Sequence, residues 1–317
     1  MDDTAKLEGI NHFFQIHRSS TDHCHEPSET CRETAIRAHS IPNGAVLSAL
    51  ADDGHIVMPQ MKLKNPPPAE IEFKRVGRNK ATTFTGLCSK HDNAIFQPID
   101  DQTPDSTDRS HLFLLAYRAV LREYHVCLQN GLRFQFNYQK RVELGLSPGT
   151  EPCDFGVFAT AHLANAFECY EYKRGFDLAY LSSDWSSLAH HVIVLQDQPA
   201  TVAVSSMFSL DDIDAPETPR VTLNVYPSDG DVVAAFAATT GDAPHVTGYL
   251  NRIFTADGYY QKYLLSKLIL QSCDNFAIAP KYYDALSQKR KDALCQFYVD
   301  TIQNNAEHHE DERLYLF

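Results

Sequence analysis

Four metal-type side chains in two short pairs constrain this chain more than any other feature. Cys24 and Cys31 stand seven positions apart in DHCHEPSETCRETAIRAHSIP, and 57 residues later Cys88 and His91 follow in LCSKHDNAIF with CxxH spacing. Zinc takes four nitrogen or sulfur ligands in a tetrahedron, and a closed set of this kind ties down a loop-rich segment that has little core of its own. Three cysteines and one histidine complete such a set, so residues 24–91 are expected to form a small zinc-bound unit. The six residues between Cys24 and Cys31 exceed the usual two to four. His23 and His25 are therefore alternative ligands, and four unrelated side chains with free thiols are the competing expectation.

The other cysteines read differently. Eight in 317 residues are too sparse for a disulfide framework. Cys127, Cys169, Cys273 and Cys295 fall on apolar helical faces as small core residues, and Cys153, in SPGTEPCD, has no readable partner. An apolar fraction of 43% is ample for a core. No run approaches the roughly 18 to 20 apolar residues of a spanning helix, and MDDTAKLEGI is acidic and polar where a signal peptide would be basic and then apolar. A cytoplasmic chain without membrane contact is the expectation.

Residues 1–108 are rich in turn formers and poor in helical periodicity, and include the triple proline Pro66 to Pro68. The acidic stretch IDDQTPDSTDRS then reads as a linker. After it, Leu114, Tyr117, Leu121 and Tyr124 recur at three- and four-residue steps with Arg118 and Arg122 opposite, which predicts an amphipathic helix. A second helix is expected over about Phe155 to Tyr172. HHVIVL, TVAVSSMF and RVTLNVY are β-branched runs bounded by Pro, Gly and Asp, as strands are, and VVAAFAAT adds another. From Thr247 onward YLNRIF, YYQKYLLSKLILQSC and ALSQKRKDALCQFYVDTIQ return to helix. The closing NNAEHHEDERLYLF reads as a polar tail with an apolar end. Regular βαβ alternation is missing. The expected class is α+β: a zinc-binding domain over 1–108, then a mixed helix and antiparallel-sheet domain over 109–317.

A net charge of −13 argues against a chain that coats nucleic acid with a basic face. The total hides a local reversal. Lys62 to Lys90 carries seven basic residues against Glu70 and Glu72, and Arg118 to Arg141 carries five against one. Lys74, Arg75, Arg78 and Lys80 are the candidate nucleic-acid contacts, and a solvated charged face is the plainer alternative.

His39 follows the second cysteine by eight residues, in Ala38-His39-Ser40-Ile41-Pro42. A ligand pair, a His in a His-Ile-Pro setting, and a CxxH with a polar residue directly after it together resemble the HNH family of ββα-metal nucleases over residues 22 to about 98. The resemblance implies a zinc scaffold, His39 as general base, and Asp92 where the family has its metal-binding His, with Mg²⁺ or Mn²⁺ neutralising phosphodiester charge. Two family positions differ: Thr82 and Thr83 stand where a central Asn is usual, the nearest being Asn79, and Ala38 replaces the acidic residue before the His. CRETAIRAHSIP, GRNKATTFTGLCSKHDNAIFQPID and the distant SCDNFAIAP also resemble the wording of a bacterial protein group associated with phage-defence gene neighbourhoods.

Other tempting residues have plainer readings. His190 and His191 fit packing at a strand edge, Asp211, Asp212 and Asp214 fit a solvated turn, and Trp185 fits an anchor. Two functions compete. One is a metal-dependent endonuclease of HNH-like type acting on DNA or RNA, for which the resemblance implies a role in bacterial phage defence. The other is a zinc-stabilised module that binds a protein or nucleic acid. The first needs an open divalent-ion position beside His39 with Asp92 aimed at it; the second would show His39 satisfied by a backbone partner.

Overall fold

The structure is a computed structural model that describes residues 22–62, 70–147, 149, 153–211, 215, 218–302 and 311–317. Lys64, the triple proline, Asp212, Asp214 and most of the polar tail lie outside these residues. The fold is mixed α and β. It divides into two compact units, each drawn from several chain segments: Met1–Ala38, Phe84–Ile95 and Val120–Asp184 in the first, and His39–Thr83, Phe96–Ala119 and Trp185–Phe317 in the second.

The first unit combines a loop over residues 22–36, the start of α1 (Ser89–Asp100), the greater part of α2 (Arg109–Glu143) and all of α3 (Asp154–Ser182). Within it the two long helices pair antiparallel. Tyr124 meets Tyr170 with ring centroids 5.9 Å apart, Asn165 donates to Cys127 Sγ at 3.2 Å, and Phe134 stacks on His162 at 5.3 Å. At Gly131 the helices approach closely: a Cβ there would lie 2.8 Å from Leu163 Cδ2 and 3.1 Å from its backbone nitrogen. Leu121, Tyr124 and Leu128 are buried along this face, as the three- and four-residue spacing predicts. Cys127 and Cys169 are buried too, in keeping with a packing role.

The second unit holds a seven-stranded antiparallel sheet in the order β3-β2-β9-β6-β7-β8-β5. Its strands are β2 (His55–Lys62), β3 (Glu70–Gly77), β5 (Leu188–Leu195), β6 (Val202–Ser209), β7 (Arg220–Ser228), β8 (Asp231–Thr239) and β9 (Phe276–Ile278). The four β-branched runs are all strands. Asp229 and Gly230 close the β7–β8 hairpin with φ of 49° and 91°. Positive φ at both central residues is the primed turn that matches strand twist, and Asp-Gly suits it.

Alternation along the strands sorts two faces. Val202, Val204, Val221, Leu223, Val225, Val232, Ala234 and Phe236 belong to one apolar core with α4 (Ala243–Thr255), α5 (Gly258–Ser272), α7 (Gln288–Ile302) and the chain end, where Leu314, Leu316 and Phe317 are buried. The apolar end of the tail is thus core. The short helix α6 (Pro280–Ala285) connects β9 to α7. Ala203, Ser205, Thr222 and Asn224 line the opposite face and are also buried.

A separate two-stranded sheet pairs β1 (Arg37–His39) with β4 (Thr83–Thr85). Residues 1–108 therefore hold more regular structure than their turn formers suggest, since β2 and β3 join the large sheet and α1 begins directly after Cys88. One expectation fails outright: Arg118 is not on a polar face. It is 1% exposed, its guanidinium donates to both Asp100 oxygens at 2.7 and 2.6 Å, and it lies 4.1 Å over the Phe96 ring. A planar fork matched to one carboxylate and one ring lets the cation leave water.

Candidate metal centre

Backbone pairing brings the first ligand pair together. Residues 22–24 run antiparallel to 33–35, with Cys24 N–H donating to the Glu33 carbonyl at 3.1 Å and Ala35 N–H to that of Asp22 at 2.8 Å. His25 N–H donates to the Gly86 carbonyl and Ile36 N–H to that of Leu87, which docks the loop beside the start of α1. There Cys88 immediately precedes the helix and His91 lies in its first turn.

The result is one cluster. The donor atoms of Cys24, Cys31, Cys88 and His91 all lie within 4.8 Å of one another. Cys24 Sγ and Cys88 Sγ are each 3.4 Å from His91 Nδ1, and Cys31 Sγ is 3.9 Å from Cys88 Sγ. A tetrahedral zinc with ordinary bond lengths requires edges of about 3.5 to 3.8 Å, close to the 3.4 and 3.9 Å separations, and the widest pair, within 4.8 Å, would draw in on binding. A disulfide is excluded at that sulfur separation. A metal such as zinc could bind here. His23 and His25 are outside the set and form a ring cluster, with centroids 4.7 Å apart and His25 5.1 Å from Tyr124.

The thiols are electrostatically unequal. Burial pushes Cys24 up to about 12. Burial also opposes the Cys88 thiolate, but backbone N–H groups of His91 and Lys90 and the Cys24 and Cys31 thiols outweigh it, and the net shift is downward. A divalent cation favours thiolate at every cysteine of such a set.

Glu26, which the sequence reading passed over, organises the loop between Cys24 and Cys31. One carboxylate oxygen accepts from Ser28 N–H and Oγ at 2.8 and 2.7 Å, and the other from Thr30 N–H, Thr30 Oγ1 and Cys31 N–H at 2.6, 3.2 and 3.0 Å. Burial works against its charge, but these bonds prevail and hold the carboxyl at about 2. The E-x-S-x-T-C spacing was its only signal.

His39 ends β1, half-buried, with Nε2 3.1 Å from the Arg78 carbonyl. A carbonyl only accepts, so Nε2 carries the proton. Burial is the main cause of a lowered His39 pKa; Arg118 and Arg78 reinforce it, and the Arg78 carbonyl and Asp100 oppose it. Asp92 lies in the first turn of α1. His39 belongs to the second unit and Asp92 to the first. Of the candidate nucleic-acid contacts, Lys74 pairs with Glu72, and Arg75 pairs with Asp284 at 2.6 Å and Asp52 at 3.2 Å. Arg78 reaches the Asn43 carbonyl at 3.5 Å, and Lys80 is exposed.

His190, His191 and Trp185 follow their plainer readings. β5 is an edge strand, where His191 stacks on Phe254 with centroids 3.8 Å apart. Burial carries His190 down to about 4. Trp185 packs on Phe113 at 4.9 Å. No helix among the described residues is long and apolar enough to cross a membrane. No family model, curated protein or solved structure matches the chain.

Proposed function

We propose that this chain is a metal-dependent endonuclease of HNH-like type, acting on DNA or RNA. The order of elements carries the reading. A strand ending on His39 pairs with β4, α1 follows, and the Cys24, Cys31, Cys88 and His91 set links the segment before the first strand to the start of the helix. Zinc at that set is structural in this reading, since four protein donors leave it no open position. His39 is the general base: its Nε2 proton is committed to the Arg78 carbonyl, which leaves Nδ1 as the basic nitrogen, and its lowered pKa keeps the ring neutral at pH 7. Asp92 contributes to an Mg²⁺ or Mn²⁺ position, and Lys74, Arg75, Arg78 and Lys80 contact phosphates. A role in bacterial phage defence follows from the resemblance alone.

The test incubates purified protein with single- and double-stranded DNA and RNA across Mg²⁺, Mn²⁺ and Ni²⁺. His39→Ala is expected to abolish cleavage with zinc content and folding unchanged. If no substrate is cut, or the variant cuts as well as the parent, the reading is lost.

A second reading, a zinc-stabilised binding module, is favoured by the same His39 bond, because a backbone partner is what a histidine with a purely structural role would show. Surface ion pairs already engage Lys74 and Arg75, although such pairs are weak and exchangeable. Inactivity throughout the panel, together with one equivalent of bound zinc, selects this reading.

A further inference from the structure

We propose that Asn275 is a positioning residue for His39, acting through Ser40 and Thr82. It belongs to SCDNFAIAP, the downstream phrase to which no role has been given, and immediately precedes β9. Its side-chain nitrogen donates to Ser40 Oγ at 2.8 Å and to the Ser205 carbonyl at 2.6 Å. The carbonyl can only accept, so that atom is the amide nitrogen and Ser40 Oγ must be the acceptor of the other bond. The Ser40 hydroxyl proton is then directed onward to the Thr82 carbonyl at 2.8 Å, and Ser40 N–H donates to the same oxygen at 2.9 Å. The main chain of Asn275 is fixed as well: its N–H donates to Ser206 Oγ, and its carbonyl accepts from Ser205 N–H. Asn275 and Ser40 are 2% and 1% exposed.

Thr82 shows that this arrangement has been imposed. It adopts φ of 54°, a left-handed conformation that is rare for a β-branched residue. Its buried hydroxyl has no hydrogen-bond partner among the described residues. What the strained backbone achieves is to aim its carbonyl at both Ser40 donors. The turn that Thr82 terminates also presents the Arg78 carbonyl to the His39 ring. The same turn therefore grips the ring at one end and the next residue at the other, and Asn275 locks that next residue to the sheet. Strain maintained in this way is a pointer to function.

The proposal rests on the reading of His39 as the base, but its test does not depend on cleavage. In full-length protein labelled with ¹⁵N-histidine, His39 is titrated by NMR in the parent, Ser40→Ala, Asn275→Ala and the double variant. The charged groups that act on it, Arg78, Arg118 and Asp100, are left intact. Expected in each single variant are loss of the Nε2–H tautomer preference and a rise of the titration midpoint towards the ordinary imidazole value of about 6.5. The double variant should shift no further than either single one, as members of one chain behave. Folded single variants with the parent's tautomer and midpoint overturn the proposal, as do additive shifts. If Asn275→Ala does not fold, Ser40→Ala decides alone, since Asn275 then keeps its Ser205 partner. Should the nuclease panel be negative while His39 responds as described, the catalytic reading falls and the positioning stands.

Discussion

Glu26 shows how much one side chain can decide in a loop without core. Glu26 is 4% exposed and its carboxylate takes five hydrogen bonds from residues 28, 30 and 31. In Glu26→Gln an amide NH₂ would face donors that need an acceptor. Because hydrogen bonds to charged groups contribute about 1.5–3 kcal/mol, a loss of that order is expected at neutral pH. The sign with pH follows from a folded carboxyl held at about 2 against an ordinary 4.5. The stabilisation is fully present above 4.5 and disappears as pH falls towards 2. Urea midpoints of parent and variant measured from pH 7 to pH 3 should converge in acid, and a constant gap would refute the assignment. The metal donors were legible because few chemistries use Cys and His at such spacing. Glu26 was not, because a glutamate among Ser and Thr looks the same whether solvated or buried. Arg118 was misread because helical periodicity reports which face a residue occupies and not whether a carboxylate waits there.

Helix pairing gives a sharper test at the scale of elements. Gly131→Ala would gain about 1 kcal/mol of helix propensity, yet the new Cβ would press on Leu163 Cδ2, Cγ and backbone nitrogen at 2.8, 2.9 and 3.1 Å. Side-chain rotation clears the first two contacts but not the third. Overpacking costs about 1–3 kcal/mol, so net destabilisation is expected in thermal unfolding, and a variant as stable as the parent would show that α2 and α3 sit further apart. The strands β5 to β8 were readable because β-branched runs ended at turn residues. β2 and β3 were not, since charged and proline residues interrupt their apolar positions and β9, the second partner of β2, lies more than 200 residues away. α3 runs ten residues past the expected end at Tyr172.

For the whole molecule, the metal set and the buried chain end make separate predictions. The donors come from two segments, so removing the ion with a chelator should expose the loop of residues 24–35 to proteolysis first, and protection of that loop equal to the metal-loaded form would count against a bound metal. Less than half an equivalent of zinc by mass spectrometry in carefully prepared protein would do the same. Leu316 is fully buried and its N–H donates to Ser266 Oγ at 2.9 Å. Leu316→Ala should cost about 2–5 kcal/mol, a large share of the roughly 5–15 kcal/mol that holds a domain folded. A shift in urea midpoint smaller than 1 kcal/mol implies would mean the tail is peripheral.

The position of β9 also dictates a schedule. Only three residues long, it is the last strand in sequence among the described residues, yet it stands between β2 and β6, with Ile278 opposite both Val57 and Val202. The hairpin of β2 and β3, made early during synthesis, has no strand to dock on until residue 278 has emerged, whereas β7 and β8 meet across a two-residue turn at once. Pairing over such separations is slow because the loop must close before any contact rewards it. In refolding followed by pulsed hydrogen exchange, amides of β7 and β8 should gain protection first, and those of β2 only together with β9. The waiting hairpin leaves an open edge, and newly made chains are most exposed to aggregation during that interval.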